Sequence, residues 1–301
     1  MSRLRSILFC PLADRDNPSA ARRATTLAAK HGAAMTMLGV VPEPARLSSL
    51  IHGRDHDRRL VEEARRSMEH KLSRCGIDGS KGKIMVGDPA LTIIQEVLTS
   101  GHDLVVVSAD DDHDHATIRR LLRKCPCPVW VIRPTRAKIN RVLAAVNADP
   151  AEYDLNRRIL ELATDMNHVY GGELHVVHSW ELYGEATMRG SSFVRTEPDE
   201  LDAMLREEEA GHRAALDELL ADPAAQGAAW TVHLVKGPAP SVVPDLVRRR
   251  RINLLVMGTV ARTGISGLVM GNTAERILDE VRCSVVTVKP PGFVSPIGVP
   301  D

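Results

Sequence analysis

Aromatic residues are scarce in this sequence of 301 residues, where three Phe, three Tyr and three Trp make up 3% of the chain. A surface that binds single-stranded bases by stacking needs several aromatic side chains on one face. Trp180 and Tyr183 lie close together, but the sequence around them lacks the basic residues of such a site. We therefore expect no base-stacking platform and a core built from Val, Leu, Ile and Ala.

Net charge is also absent, because 39 Lys and Arg residues balance 39 Asp and Glu residues. A neutral chain has no general attraction to nucleic acid or to an anionic membrane. No apolar stretch approaches the ~20 residues of a transmembrane helix. The sequence therefore predicts neither a membrane nor a nucleic-acid partner.

Cysteine is sparse, and its five positions are odd in number and scattered: Cys10, Cys75, Cys125, Cys127 and Cys283. This is not the pattern of a disulfide framework in a secreted domain. The apolar run near the start is too short and too soon interrupted for a secretory signal. We expect a cytoplasmic location, with Cys125 and Cys127 of the Cys-Pro-Cys-Pro segment as buried structural thiols.

What the sequence does contain is an internal duplication. The segment at 84–108 aligns with the one at 232–258, and Gly87 and Gly237 in these segments lie 150 residues apart. Near the end of each copy, CPVWVIRP (127–134) pairs with CSVVTVKP (283–290). The repeat predicts two domains, 1–136 and 137–301, that meet in a short polar stretch.

Within each copy, short apolar runs alternate with helical patterns in the order β-α-β-α-β-α-β-α-β. Runs such as LVVVS and VVTVK are apolar on both faces, which is typical of parallel strands covered by helices. Their alternation with helices predicts right-handed βαβ units in an open, doubly wound α/β sheet. The predicted helices include 20–31, 58–75, 155–170 and 197–220.

A glycine-rich segment follows the fourth predicted strand of the second copy, MGTVARTGISGLVMGNTAERILDE at 257–280. Open α/β sheets bind ligands beyond the carboxyl ends of their strands. Glycines let the backbone approach a phosphate, and the helix that starts at Asn272 or Thr273 offers free N–H groups to an anion. The second copy is therefore predicted to hold an anionic ligand.

The segment GTVARTGISGLVMGNTAE, the phrase LLRKCPCPVWVIRP (121–134) and the repeated element order resemble the universal stress protein family in its tandem form, particularly the group called universal stress protein E. The resemblance implies two five-stranded parallel sheets with strand order 3-2-1-4-5 and helices on both faces, of the adenine nucleotide alpha hydrolase-like class. Many members bind ATP through Gly-x2-Gly-x9-Gly-Ser/Thr. Members often pair through their last strands. The resemblance therefore implies that the two domains of this chain pair as such a dimer does, and it leaves open a homodimer of two chains.

Carried over residue by residue, the resemblance places a nucleotide in the second copy alone. Gly258 and Gly271 match the first and third glycines, whereas Ala261 replaces the second. Asn272, beside Thr273, stands where Ser or Thr contacts phosphate, and Asn147 stands where an acid usually holds the nucleoside, with Asp149 two positions on as the alternative acid. These departures argue against tight ATP or AMP binding but leave the pocket. The implied ligand-binding set is Asn147, Ser179, Met257, Gly258, Ala261, Gly264, Gly271, Asn272 and Thr273.

The first copy lacks this motif. Between Ser108 and Lys124 it has no glycine, and its acidic run would repel a phosphate: Asp110, Asp111, Asp112 and Asp114. Strand one ends at Pro11–Leu12 without an acid. We expect this half to bind no nucleotide and to supply structure or an interaction surface.

Histidines offer a second kind of site. His113 and His115, with His52 and His56 spaced i, i+4, could bind Zn²⁺ through imidazole and carboxylate ligands, although a solvated polar loop is the favoured interpretation. His175 and His178 lie three apart on a predicted strand, so they should face opposite sides and not bind one ion.

We expect no catalytic residues, because no Gly-x-Ser-x-Gly nucleophile segment opens a helix after a strand. The resemblance implies a cytoplasmic protein that acts by binding and contributes to tolerance of oxidative, DNA-damage, starvation or low-oxygen stress. The alternatives are a weak ATPase, a binder of an apolar or lipid-like ligand, and a zinc binder.

Overall fold

The computed structural model describes residues 4–12, 18–43, 54–74, 82–108, 115–135, 137–190, 197–223, 225–259 and 270–298. The chain divides into two compact units. The amino-terminal unit is built from Ser2–Ala137, Thr259–Met270 and Arg282–Asp301, and the carboxy-terminal unit from Lys138–Gly258 and Gly271–Val281.

The amino-terminal unit is a sheet with strand order β3-β2-β1-β4-β5-β10, in which β1 to β5 are parallel and β10 is antiparallel to β5. Its elements are β1 (Ser6–Pro11), α1 (Pro18–His31), β2 (Ala34–Val41), α2 (Arg54–Arg74), β3 (Gly82–Val86), α3 (Pro89–Ser100), β4 (Leu104–Ser108), α4 (His115–Lys124), β5 (Val129–Ile132) and β10 (Ser284–Val288).

The carboxy-terminal unit has the parallel strand order β9-β6-β7-β8. Its elements are β6 (Arg141–Ala145), a 3-10 turn (Pro150–Glu152), α5 (Tyr153–Tyr170), β7 (Glu173–Trp180), α6 (Glu185–Gly190), α7 (Pro198–Ala221), β8 (Trp230–Lys236), α8 (Ala239–Arg250), β9 (Leu254–Gly258) and α9 (Asn272–Glu280).

The α/β class with parallel strands and intervening helices is confirmed, and β1 to β5 follow the expected order 3-2-1-4-5. The predicted count of five strands in each sheet is wrong for the compact units, because β10 groups with the amino-terminal unit. An edge strand presents unpaired N–H and C=O groups, and an antiparallel partner satisfies them. β10 supplies that partner to β5.

The inner strands are largely buried on both faces, as their aliphatic composition predicts, whereas every residue of β3 and β8 is half-buried or exposed. Every residue of β4, β5 and β10 is buried. Phe9 and Trp130 are among the few aromatic side chains, and both are fully enclosed in a core that is otherwise largely aliphatic. Aliphatic side chains thus supply most of the apolar area buried in each sheet.

One capping interaction occurs in both copies. In the amino-terminal unit, the Asp103 carboxylate accepts the backbone N–H groups of Arg5 at 2.6 Å and Ser6 at 2.9 Å. In the carboxy-terminal unit, the Asn253 amide oxygen accepts those of the two residues at the start of β6, each at 3.1 Å. Asp103 and Asn253 lie 150 residues apart. The 150-residue offset found in the sequence therefore relates two residues that make the same hydrogen bonds.

The turn between α5 and β7 contains two neighbouring glycines, and the second of them lies against the backbone of another segment. Gly171 and Gly172 both have positive φ, 76° and 114°. A Cβ on Gly172 would lie 2.1 Å from the Asn140 carbonyl oxygen, whereas a Cβ on Gly171 would meet nothing within 4 Å. Gly172 is needed for a close backbone approach as well as for its conformation.

We expect Gly172→Ala to destabilise the chain more than the control variant Gly171→Ala. Both should lose about 1–3 kcal/mol because a side chain is strained at these φ values. Gly172→Ala should cost at least about 2 kcal/mol more, because backbone atoms must move to relieve the clash. Denaturant unfolding of the full chain measures both values, and equal losses would contradict the packing argument.

Candidate functional site

Three parallel strands of the carboxy-terminal unit end beside one another. Ala145 of β6 pairs with Met257 of β9 on one side and with Val177 of β7 on the other. Asn147 lies two residues beyond the last residue of β6, and Ser179 lies near the carboxyl end of β7. Gly258 follows Met257 at the same edge. The predicted nucleoside contacts Asn147 and Ser179 and the first glycine of the motif, Gly258, therefore lie at or just beyond the carboxyl ends of neighbouring strands.

Asn147 is exposed, and its backbone is held by a side chain that sequence reasoning missed. The Asn156 amide oxygen accepts the Asn147 N–H at 3.1 Å, and the Asn156 amide group donates to the Asn147 carbonyl oxygen. Asn156 lies on α5 and is only 2% exposed. A buried Asn on a helix that packs against strand one would have been a usable signal. Asp149, by contrast, caps the 3-10 turn through the Ala151 N–H at 2.8 Å.

Ser179 is half-buried, and the residues after it do not form an aromatic surface. Trp180 is buried, whereas Tyr183 is 96% exposed. The two rings that lie close in the sequence are therefore in different environments.

Gly258 has a packing role that the motif alone does not reveal. A Cβ at this position would lie 2.9 Å from Leu155 Cδ2, so the absence of a side chain lets α5 pack closely on β9. Its neighbour Met257 is buried. The first glycine of the motif is therefore needed for close packing between α5 and β9 in the core of this unit.

The helix that follows the glycine-rich segment begins as predicted. Gly271 is the N-cap of α9, with extended backbone at φ −63° and ψ 139° and no side-chain capping bond. Asn272 and Thr273 in the first turn are exposed. The first N–H groups of a helix have no partner within it, and they favour an anion. The end of α9 at Asn272 can therefore accept a phosphate or carboxylate.

Several predicted residues lie outside the described parts of the chain. These are Ala261 and Gly264 of the motif, the acidic run at 110–114 with His113, His52, and the side chains of His56 and His115. Among the residues that are described, no group of three or more His, Cys, Asp and Glu side chains could hold a metal ion.

The two cysteines of the Cys-Pro-Cys-Pro segment are free thiols with sulfur atoms 3.6 Å apart. Cys125 is buried as expected, whereas Cys127 is half-buried. The contact with the Cys125 thiol, together with burial, raises the pKa of Cys127 well above its usual value. Both properties fit structural thiols and oppose a nucleophilic thiolate.

Two separate histidine pairs lie in the carboxy-terminal unit. His175 Nδ1 is 3.2 Å from His233 Nε2, and His178 Nε2 is 2.9 Å from His212 Nδ1. His175 and His178 therefore contact different partners, as their spacing on a strand predicts. Burial lowers the pKa of both His175 and His178.

A cavity of about 600 Å³ opens at the carboxyl ends of β7 and β8. At this cavity Glu185 Oε1 accepts Lys236 Nζ at 2.6 Å and Arg189 Nε at 2.9 Å. Leu182, Tyr183 and Ala186 add apolar lining. The volume is that of a small-molecule site, and its position is where open α/β sheets bind ligands.

One buried cation lies in the amino-terminal unit, outside the predicted set. Lys289 is 3% exposed, and its Nζ donates to Thr259 Oγ1 at 2.5 Å and to the Leu122 carbonyl oxygen. The ammonium also lies 5.1 Å from the centre of the Phe293 ring. Burial lowers the pKa of Lys289 from 10.5 to about 8.

The amino-acid sequence is similar to proteins of a known family. The model of the Universal stress protein family matches residues 5–133 and again residues 138–289. Universal stress protein E of Escherichia coli strain K12 is 31% identical over 230 residues, which cover 71% of this chain and 69% of that protein. The chain therefore belongs to the universal stress protein family.

Solved structures agree with the fold. A functionally unknown protein from Pseudomonas aeruginosa PAO1 is 25% identical, with a TM-score of 0.67 over 95% of this chain and 93% of that chain. A universal stress protein from Archaeoglobus fulgidus DSM 4304 has 19% identity and a TM-score of 0.61 over 94% of this chain and 98% of that chain, and it supports the fold alone. Within the described helices, none combines the length and apolar character that a membrane crossing needs.

We expect the buried Lys289 to make stability depend on alkaline pH. Its folded pKa of about 8 lies below the unfolded value of 10.5, so folding is penalised below pH 8 and the penalty disappears as the pH rises towards 10.5. The free energy of unfolding of the wild type, relative to Lys289→Met, should rise by about 3 kcal/mol across that interval. The exposed Lys30 gives the control variant Lys30→Met, and the same pH dependence in both variants would contradict burial as the cause.

Proposed function

We propose that this chain is a binding protein of the stress response, located in the cytoplasm, whose carboxy-terminal unit alone binds an adenine nucleotide such as ATP or AMP. The amino-terminal unit supplies structure or an interaction surface. Tolerance of oxidative, DNA-damage, starvation or low-oxygen stress is the role that family membership suggests.

Two features of the carboxy-terminal unit support this proposal. Strands β6, β7 and β9 are neighbours, and Asn147, Ser179 and Gly258 lie at or just beyond their carboxyl ends. The first turn of α9 is exposed and has no side-chain cap, so its N–H groups are available to an anion. A nucleoside contact at the strand ends and a phosphate contact at the helix start suit a mononucleotide.

The strand-one ends of the two copies differ in their chemistry. Position 147 is Asn, which offers an amide donor and acceptor to a nucleoside, whereas β1 ends at Pro11 and is followed by Leu12. A proline ring has no N–H, and a leucine side chain has no polar atom. This difference supports one nucleotide for each chain.

A charge placed at the start of α9 tests the proposed phosphate contact without disturbing the fold. We expect Thr273→Glu to weaken ATP and AMP binding about ten-fold, because a carboxylate near the phosphate repels it by about 1.4 kcal/mol. An acid in the first turn of a helix is otherwise favourable. Isothermal titration of the full chain measures affinity and stoichiometry.

The matched control is Ser241→Glu, which adds the same charge to the exposed first turn of α8 in the same unit. This control should bind nucleotide as the wild type does, at one site for each chain. Two sites for each chain, or equal affinities of Thr273→Glu and Ser241→Glu, would contradict the assignment. A single-turnover assay on the same samples, with Gly271→Val for comparison, separates binding from weak ATP hydrolysis.

A second candidate function is binding of an apolar or lipid-like ligand, and the cavity near Tyr183 favours it. Leu182, Tyr183 and Ala186 line the cavity, while Lys236 and Arg189 hold Glu185 at it. An apolar chain with a polar head would place its chain on the apolar lining and its head among these charged groups.

Native mass spectrometry tests this second candidate. We expect an apolar compound to co-purify with the wild-type chain, or added palmitate to bind it, and Leu182→Asp to abolish the complex because a carboxylate in the lining must be desolvated. Leu60→Asp on the exposed face of α2 is the control and should behave as the wild type. A wild-type chain that neither co-purifies with a ligand nor binds palmitate rejects this candidate.

A further inference from the structure

A chain of contacts runs from the backbone beside Asn147 to the surface of α7. The Ala148 N–H approaches His178 Nδ1 at 3.3 Å, and the Val146 carbonyl oxygen lies at the same distance from that nitrogen. His178 Nε2 meets His212 Nδ1 at 2.9 Å. His212 Nε2 lies 3.4 Å from the Glu208 carboxylate. All these groups belong to the carboxy-terminal unit.

When both imidazoles are neutral, the donors and acceptors in this series of contacts allow one arrangement of the protons. The Ala148 N–H can only donate, so His178 Nδ1 accepts and the His178 proton lies on Nε2. That proton is donated to His212 Nδ1, which leaves the His212 proton on Nε2, facing Glu208. The opposite arrangement would leave the Ala148 N–H without this acceptor and point a lone pair of His212 at a carboxylate.

His212 is the member of the pair that receives an added proton. Burial lowers the pKa of His178, which is 2% exposed, whereas the His212 side chain is 30% exposed and next to Glu208. Protonated His212 carries hydrogens on both nitrogens and donates from Nδ1 to His178 Nε2. His178 must then move its own proton to Nδ1, where the Val146 carbonyl oxygen accepts it.

We propose that His178 is a positioning residue for Asn147, and that protonation of His212 switches the tautomer of His178 and thereby exchanges its backbone partner from the Ala148 N–H to the Val146 carbonyl oxygen. These two groups flank Asn147 on both sides. The switch therefore acts at the carboxyl end of β6, at the nucleoside contact. The effect on a nucleotide rests on the proposed function, whereas the tautomer exchange does not.

Charged groups near the His178–His212 pair, among the residues that the structure describes, lie on α7 and β8. On α7, the Glu208 carboxylate lies 3.4 Å from His212 Nε2. On β8, Lys236 Nζ lies 6.0 Å from the centre of the Trp180 ring, which stacks on His212 with centroids 5.7 Å apart. The segment that follows β6 contributes its backbone groups to these contacts, through Val146 and Ala148.

The first test reads the tautomer directly in the full chain without ligand. Nitrogen-15 NMR of labelled histidine should show His178 protonated on Nε2 at about pH 8 and on Nδ1 at about pH 5.5, on either side of the usual histidine range. The amide signal of Ala148 should shift in parallel. The variant His212→Gln should keep the tautomer of His178 unchanged across this range. A wild-type tautomer that does not change, or one that still changes in His212→Gln, overturns the proposal.

The second test links the switch to binding. With ATP as the probe, affinity should change about three- to ten-fold between these pH values, the effect of one exchanged hydrogen bond. An amide in place of imidazole separates the two nitrogens, because Asn has an oxygen near the position of Nδ1 and Gln a nitrogen near that of Nε2. His178→Asn should bind ATP as the wild type does at about pH 8 and lose the pH dependence. His178→Gln should bind more weakly at both values.

Failure of this proposal and failure of the proposed function give different results. If the tautomer exchanges as described but ATP binds at neither pH, the switch is supported and nucleotide binding is rejected. If ATP binds and His178→Asn keeps the full pH dependence, the positioning role is rejected. His175 and His233 form their own pair on the same strand, so a pH dependence that survives in both His178→Asn and His212→Gln belongs to groups other than this switch.

Discussion

The first strand of each copy is the constraint on which the rest of the structure depends. β1 and β6 each pair on both sides, and a side-chain oxygen from just before the fourth strand binds two backbone N–H groups at their start. Parallel strands in register end at one edge, so a fixed start also fixes which residues meet at the carboxyl end. A slip of one residue would exchange the faces of every side chain.

Beyond that paired region, side chains replace the sheet in holding the backbone of β6. The last ladder contact there is the Val146 N–H to the Val177 carbonyl oxygen, at 3.0 Å. Backbone groups need partners, and Asn156 supplies them to Asn147 itself while His178 accepts the N–H of the next residue, Ala148. Asn147 is therefore itself exposed, while two buried polar side chains hold the backbone around it and make the position rigid without burying it.

The motif shows why a resemblance and a structural role are separate matters. Gly258 matches a nucleotide-binding pattern, yet the contact it makes is with Leu155 in the core. Gly271 begins α9 with an extended conformation that other residues adopt as readily. What such a loop offers a phosphate lies in the first turn of α9, where the exposed N–H groups follow from helix geometry rather than from a particular side chain.

Much of this protein was determined by the sequence alone, because the relevant signals are local. Alternation of apolar runs with helical patterns located the strands and helices, and the spacing of 150 residues identified the duplication that the family model matches twice. The tertiary structure decided the place of β10, the task of Asn156 and the contact of His178 with His212. The last contact joins residues 34 apart through packing of α7 on β7, and no periodicity or motif records which polar side chains such packing brings within hydrogen-bond distance.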